Sequence, residues 1–508
     1  MRPHADRTIA GIDVGANAIR LEMGRPLSDG SIEIVHEERD PLRPGQGLFK
    51  TGVISSTVIE RLISTMQRYA ALCRRHGAQV RVVGTSAVRE AANREDVVRR
   101  IKQETGLTLE VISGQEEARL VCLGVLAGRR PDTRSVCVDI GGGSTEVVTA
   151  VGDRPANLWS LAIGAVRLTE MFRASGTVKP AQLKVMREYA DEVIAEGLPR
   201  TLPGFPRVAL GSSGTIRALI GFVGAAGTAH ATARQLERAV DELVRLGSTG
   251  RKRQFDPQRA EIIVAGAIIL EALVRRLRLK GVTAVERGLR HGVLVDLIRR
   301  SVPGEREASL LDAAMALGRR FQFDEAHARQ VTTLSLTLFD ELTPLHRLPR
   351  SARAFLEVAA VLHDIGNALS YTRHHRHSEY LIRNTDIPGL VDRERDLVAR
   401  IARYHRRSPP EHNHPGMEGL SRDERLTVRK LATLLRIADA LDRSHLQAVR
   451  RMHVVRRPRD VSILLAGRGV FDLELWDAGR EAALFRRVFG RRLSIEAERR
   501  KLSPRTPK

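Results

Sequence analysis

The chain carries one strand-to-turn pattern twice, and that repetition restricts its fold more than any other feature. Ile9-Ala-Gly-Ile-Asp13-Val-Gly15-Ala-Asn17 lies near the start. Val136-Cys-Val-Asp139-Ile-Gly141-Gly142-Gly143-Ser144-Thr145-Glu146 follows roughly a domain later. Each is a short apolar run, reading as a buried strand, that reaches an Asp and turns sharply on glycine. Glycine lets backbone approach a ligand and aim N–H groups at phosphate oxygens. An Asp at the strand end can hold hydrated Mg²⁺, which bridges to the same oxygens. One such turn alone is also an ordinary hairpin. A second copy, with three glycines and a Ser-Thr pair, points instead to two hairpins facing each other as a phosphate clamp.

Composition narrows the partners. The 508 residues are enough for several domains with large cores. A formal charge of +23 attracts polyanions, although arginine spread along the whole chain also fits a GC-biased genome. Aromatics are only 4%, so base-stacking platforms are scarce and a phosphate partner is expected rather than nucleic acid. Cys73, Cys122 and Cys137 are odd in number and lack metal-ligand spacing, as in a reducing compartment. The opening Met1-Arg-Pro-His-Ala-Asp-Arg has no signal-peptide apolar core. The most apolar run, 262–274, is too short to span a bilayer and reads as a buried helix. A cytoplasmic protein without membrane contact is expected.

Up to about residue 300, strand-like and helix-like segments alternate, the pattern of an α/β architecture. The pattern predicts strands in 8–23, 32–38, 80–84, 109–112 and 135–149, with helices over 55–75, 94–104 and 116–126. A third glycine-rich turn, Gly211-Ser-Ser213-Gly214-Thr215, opens an apolar helix at 216–222. From about 307 the strands vanish. Amphipathic helices are predicted over 326–342, 351–363, 378–384, 393–404 and 426–441, and Pro303-Gly304 marks the boundary. Strands are predicted again at 452–455, 461–465 and 471–475, then a helix at 482–489. The basic tail 499–508 reads as disordered.

Between the doubled loops lie Gly84-Thr-Ser-Ala-Val-Arg89 and Gly114-Gln-Glu116-Glu117-Ala-Arg119. Arg89 follows a strand end, where its guanidinium can fork onto phosphate oxygens. Glu116 and Glu117 open a helix, whose N-terminus favours an ionised carboxylate able to accept a proton from water. A Glu pair in a first turn is more often simple dipole compensation.

Taken together, these motifs resemble the exopolyphosphatase/guanosine pentaphosphate phosphohydrolase (Ppx/GppA) family of the actin–Hsp70–sugar kinase superfamily. The match runs in the family's order over most of 8–300. The resemblance implies two ribonuclease H-like lobes, 1–130 and 131–303, with the active site between them. It implies that Glu117 activates water and that Asp13 and Asp139 position Mg²⁺, with Glu116 in a local or metal-linked role. Arg89 and the glycine loops (Gly15, Asn17, Gly141, Gly142, Gly143, Ser144, Thr145, Gly211, Ser213, Gly214 and Thr215) would bind the terminal phosphate. It also suggests a homodimer. One departure stands out: the family's first loop usually reads Asp-x-Gly-Ser-Asn-Ser, whereas Ala16 and Ala18 occur here. Two hydroxyls are gone, so weaker or altered phosphate binding is expected.

The segment 307–450 offers a second constellation. His327, His363-Asp364 and Asp439 lie on predicted helices and resemble the HD phosphohydrolase superfamily, where such a set chelates one divalent metal. Imidazole and carboxylate suit Mn²⁺, Fe²⁺ or Zn²⁺. His374, His375, His377 and His405 can supply a second metal or contact phosphate. A retired scaffold whose histidines and arginines line an anion channel is the competing reading. Residues 451–508 form a small α/β segment with its tail.

Three functions compete. A phosphohydrolase would cleave terminal phosphate from polyphosphate, with guanosine pentaphosphate as the alternative substrate. A kinase is disfavoured by the Glu pair, and the absence of any Gly-Lys dipeptide excludes a P-loop. A noncatalytic alarmone or polyphosphate sensor is opposed by Glu117, while Ala16 leaves it open.

Overall fold

The computed structural model describes residues 8–225, 227–301, 304–411, 414–467 and 472–498. The chain divides into two compact units, one ending at residue 303 and the next beginning at Gly304.

The first unit contains two sheets built on one scheme. In the first, β1 (Ile9–Val14), β2 (Ile19–Pro26) and β3 (Ile32–Asp40) form an antiparallel meander. β4 (Gln79–Gly84) and β5 (Leu109–Val111) then add in parallel beside β1, giving the order β3-β2-β1-β4-β5. The second sheet repeats this with β6 (Arg134–Ile140), β7 (Thr145–Val151) and β8 (Arg154–Leu161) as the meander. β9 (Val208–Ser212) pairs in parallel with β6, and the short β10 (His230–Thr232) and β11 (Gly281–Ala284) complete the order β10-β11-β9-β6-β7-β8. β1, β4, β6 and β9 are buried on both faces, so they read as apolar runs rather than alternating strands. The helix Pro257–Arg276 is buried along its whole middle. Its one charge there, Glu271, is matched by Arg187 at 2.9 and 3.0 Å. Cys73, Cys122 and Cys137 are free thiols in these cores.

The second unit is helical from Glu305 to Ala440 and ends in a three-stranded sheet of β12 (Val449–Arg456), β13 (Asp460–Gly467) and β14 (Arg492–Ala497). One hydrophobic core runs from Leu310 through Val398 and Leu435 to Ile463 and Phe485, so helices and sheet form one body rather than two segments parted at 450. The strand expected at 471–475 is also corrected. Asp472–Gly479 is a helix with Asp472 and Glu474 in its first turn, where acidic groups favour the helix dipole. The third strand is instead β14, pairing in parallel with β13. The tail 499–508 and residue 471 lie outside the described residues. Among the described residues no helix is long and apolar enough to cross a membrane.

Candidate active site

The doubled motif folds into two equivalent hairpins. In the first, Asp13 ends β1 opposite Arg20, and Gly15 N–H closes the turn on the Ala18 carbonyl at 3.1 Å. In the second, Asp139 pairs opposite Glu146, and Gly141 N–H closes on the Ser144 carbonyl at 2.9 Å. The scaffold is the same, but the residue facing each Asp is Arg in one and Glu in the other. The loops meet closely. A Cβ on Gly142 would stand 2.9 Å from Ala16 Cβ, and one on Gly143 would strike Ser86 Oγ at 2.5 Å and Phe49 at 2.6 Å. Only glycine fits there.

A cleft is lined by Asp13, Gly15, Asn17, Glu117, Asp139, Gly141, Gly142, Ser213, Gly214 and Thr215, all expected from the sequence. Glu117 arrives on the helix Gly114–Leu126, capped by Ser113, whose hydroxyl accepts the Glu116 N–H at 3.1 Å. Burial pushes its carboxyl up to about 7; Arg89 pulls the other way, and Asp13 and Asp139 push further upward. Burial likewise raises Asp13 to about 6 against the pull of Arg20 and Arg290. Asp139 is raised by burial although Ser212 Oγ donates to it. Such crowded carboxylates call for a cation. Asp13 Oδ1, Asn17 Oδ1 and Glu146 Oε2 are buried acceptors with no hydrogen-bond partner among the described residues. This all-oxygen donor set fits Mg²⁺.

Arg89 reaches the cleft residue Glu117. Its Nη1 donates to Glu117 Oε2 at 3.1 Å and to the Ile112 carbonyl at 2.9 Å, so it orients and tunes the carboxylate. Glu116, expected near Mg²⁺, is corrected: its oxygens face Arg119 at 2.7 and 2.8 Å and Arg81 at 3.3 Å, in a buried network with Asp296. Burial would raise its carboxyl, yet Arg119 and Arg81 hold it below the usual range. Successive helical side chains diverge by about 100°, which separates the two neighbours. Gly143, Ser144, Thr145 and Gly211 stand behind the lining. Thr145 Oγ1 donates to the Ile163 carbonyl at 2.6 Å, and a Cβ on Gly211 would meet Ile216 and Val282.

The sequence reading missed Arg20, Arg217, Arg259 and Arg290, which line the cleft from four separate segments. Arg259 Nη1 donates to Thr215 Oγ1 at 2.8 Å. An isolated arginine has no signature in a chain so rich in arginine. Glu146, quoted in the motif without a role, is buried, accepts from Ser160 Oγ at 2.9 Å, and is raised well above the carboxylate range by burial and by Glu117. Ser213 holds φ 84° and ψ 151°, a conformation nearly confined to glycine, while its hydroxyl accepts the Ile216 N–H at 3.3 Å. Strain of this kind accumulates at ligand sites.

In the second unit His327, His363, Asp364 and Asp439 do converge. Asp439 Oδ1 is 3.3 Å from His327 Nε2 and 3.6 Å from His363 Nε2, and Asp364 Oδ1 is 3.8 Å from His363 Nε2. The mixed nitrogen and oxygen donors fit a borderline divalent metal.

Two opposed hairpins, a buried carboxylate on a helix start and an oxygen-lined, arginine-rimmed cleft define a phosphate-handling enzyme of the actin-like ATPase fold. The description Ppx/GppA phosphatase family matches residues 26–301, and Ppx/GppA phosphatase, domain III, matches 311–463. The chain belongs to the Ppx/GppA phosphatase family. The crystal structure of the Aquifex aeolicus family member is 28% identical, with a TM-score of 0.51 over 58% of this chain and 99% of that one. An exopolyphosphatase-like protein is 27% identical, with a TM-score of 0.53 over 58% and 100%. An exopolyphosphatase from Cytophaga hutchinsonii, at 24% identity and TM-score 0.51 over 57% and 98%, shares the fold.

Proposed function

We propose that this protein is an exopolyphosphatase that releases the terminal phosphate of inorganic polyphosphate. Glu117 takes a proton from water, water oxygen attacks the terminal phosphorus, and the shortened chain leaves as the anhydride bond breaks. The observation that carries this reading is the Glu117 carboxylate itself, buried at the cleft, held by Arg89 and raised to about 7, where a general base works best near neutral pH. Mg²⁺ held by Asp13 and Asp139 would screen the phosphate charge. Arg20, Arg217 and Arg259 line both the cleft and an adjoining pocket that also contains Arg39, a cationic run suited to successive phosphates.

Guanosine pentaphosphate is the second reading, favoured by Phe222 and Phe255 in that adjoining pocket, whose apolar surface suits a base. Phosphate release from long-chain polyphosphate and from guanosine pentaphosphate, with Mg²⁺ at equal phosphate concentration, tests both. Faster release from the polymer is expected. Release from neither leaves the noncatalytic sensor. The four-residue set in the second unit would hold one divalent metal, and homodimerisation is proposed from the family resemblance.

A further inference from the structure

One corner of the cleft holds an ion pair that is only half made. Arg20 and Glu22 are two residues apart on β2 and so share a face, opposite Asp13 and Gly11 of β1. Gly11 leaves room there: a Cβ would stand 3.1 Å from Val293 and 3.3 Å from the Arg290 carbonyl. The helix Leu289–Ser301 therefore lies against the sheet and brings Arg290 and His291 to Glu22. The same helix packs backbone to backbone on the helix that carries Glu117, since a Cβ on Gly292 would meet the Leu120 carbonyl at 1.8 Å. Its start is thus fixed both to the Asp13 hairpin and to the helix of the base.

Glu22 and His291 are both buried. Glu22 Oε1 lies 3.0 Å from His291 Nδ1. An ionised carboxylate only accepts hydrogen bonds, so this contact puts a ring proton on Nδ1. The other oxygen, Oε2, stands 3.8 Å from Arg290 Nη1, beyond hydrogen-bond reach. Arginine and carboxylate commonly close into a two-bond fork, as Arg119 and Glu116 do at 2.7 and 2.8 Å. Here His291 occupies one of the two oxygens that the fork requires. Arg290 stays unforked: among the described residues its guanidinium has no hydrogen bond, and it lines the cleft together with Glu22. Its charge reaches Asp13, whose carboxyl it helps to pull down.

We infer that Glu22 and His291 are positioning residues that keep Arg290 charge-balanced but unforked, so that its guanidinium is free to fork onto the oxygens of a phosphate entering the cleft. This role, which rests on the phosphate-cleaving reading of the cleft, divides between the two. Glu22 supplies the balancing charge while no phosphate is bound. His291 withholds one Glu22 oxygen and so prevents the carboxylate from capturing the arginine.

Titration calorimetry of the full chain with tripolyphosphate, in EDTA so that binding is read without turnover, tests this role. Each variant is first checked for native circular dichroism. Arg290→Gln should weaken binding about tenfold or more, the worth of a hydrogen bond to a charged group. Glu22→Gln keeps an acceptor for His291 but removes the competing charge, and should tighten binding several-fold. His291→Leu frees Oε1, lets the fork close, and should weaken binding toward the Arg290→Gln value. His291→Gln, whose amide still donates, should bind as the wild type does. A merely structural role would weaken binding in Glu22→Gln as in His291→Leu, and that parallel would overturn the positioning. So would an Arg290→Gln variant that binds like the wild type. Phosphate release from polyphosphate is measured separately with Mg²⁺. Release without this pattern of affinities would overturn the positioning alone, and the pattern without release would overturn the exopolyphosphatase reading alone.

Discussion

The cleft and the histidine cluster both bury carboxylates, yet they treat the negative charge in opposite ways. In the cleft Asp13, Asp139, Glu117 and Glu146 crowd one another, and burial holds all four above the usual carboxylate range. In the helical unit burial would also raise Asp364 and Asp439, but the surrounding imidazoles overcome it and hold both well below that range. The cleft therefore keeps a proton acceptor ready near neutrality and offers hard oxygen donors. The cluster keeps its carboxylates ionised and offers nitrogen. One unit suits Mg²⁺ and general-base chemistry; the other suits Mn²⁺, Fe²⁺ or Zn²⁺.

The largest effect should come from Glu117→Gln, which keeps the side chain's size and removes its basic electron pair. A positioned base is worth about 10²–10⁴ in rate. Polyphosphate turnover should fall by that factor while substrate binding persists. Near-normal turnover would move the hydrolysis out of the cleft. Arg89→Gln sharpens the point, because Arg89 pulls the Glu117 carboxyl down. Without that charge the carboxyl rises, and the acidic limb of the pH–rate profile should shift to higher pH. An unshifted limb would mean that another group titrates.

Glu116→Gln should do the reverse. Its carboxylate neutralises Arg119 and Arg81 inside the first unit, and breaking such a buried pairing costs about 3–5 kcal/mol. Thermal unfolding should come at lower temperature, with the Mg²⁺ titration of activity unchanged. An increased Mg²⁺ requirement would restore the metal role first expected for this residue.

That expectation shows where sequence reading ended. Asp13, Asp139 and Glu117 were legible because glycine turns and a helix start mark them locally. Glu116 carries the same local mark, and only Arg119 in the next helical turn, with Arg81 and Arg119's partner Asp296 brought from two other places in the chain, assigns it to the interior. Arg20 and Arg259 were illegible for the same reason: the fold, not the neighbouring sequence, aims them at the cleft. At 471–475 five alternating residues could not separate a strand from the first turn of a helix. The duplicated sheet scheme, by contrast, follows from a repeated motif whose hydrogen-bonded turn is itself repeated.

A smaller, thermodynamic difference between the two units should appear in metal-free protein. Glu117 and Asp13 have folded pKa values of about 7 and about 6, above their ordinary 4.5 and 3.8. Between those limits the folded cleft holds protons that the unfolded chain has lost, so stability falls as pH rises from about 4 to about 7. In the helical unit the carboxylates are depressed and contribute fully above 3.8. Burial lowers His327, but Asp439 and Asp442 raise it to about 9, so its contribution is complete below 6.5 and disappears as pH passes about 9. Burial also holds the His375 imidazole down to about 4 and lowers His405, so there the unfolded chain binds protons that the folded unit lacks and stability rises toward pH 6.5. Calorimetry after EDTA treatment should therefore show the first unit losing stability from pH 4.5 to 7 while the second does not lose it. Mg²⁺ should flatten the first decline. Parallel declines in both transitions would erase the electrostatic contrast.

The smallest expected effect concerns Ala16, where this chain lacks a hydroxyl that the family usually carries. Ala16 is buried, and its methyl stands against the glycine loops at Gly45 and Gly142, each of which would bring a Cβ to 2.9 Å. That contact leaves little room on the protein side, so a serine hydroxyl here would turn toward the cleft. A typical hydrogen bond contributes about 0.5–1.5 kcal/mol net, equivalent to a factor of about 2 to 13 in affinity. Ala16→Ser should lower KM for polyphosphate within that range and leave kcat nearly unchanged. A raised KM would show that the hydroxyl forces the two hairpins apart. The alanine would then be part of how this cleft closes, rather than a lost phosphate contact.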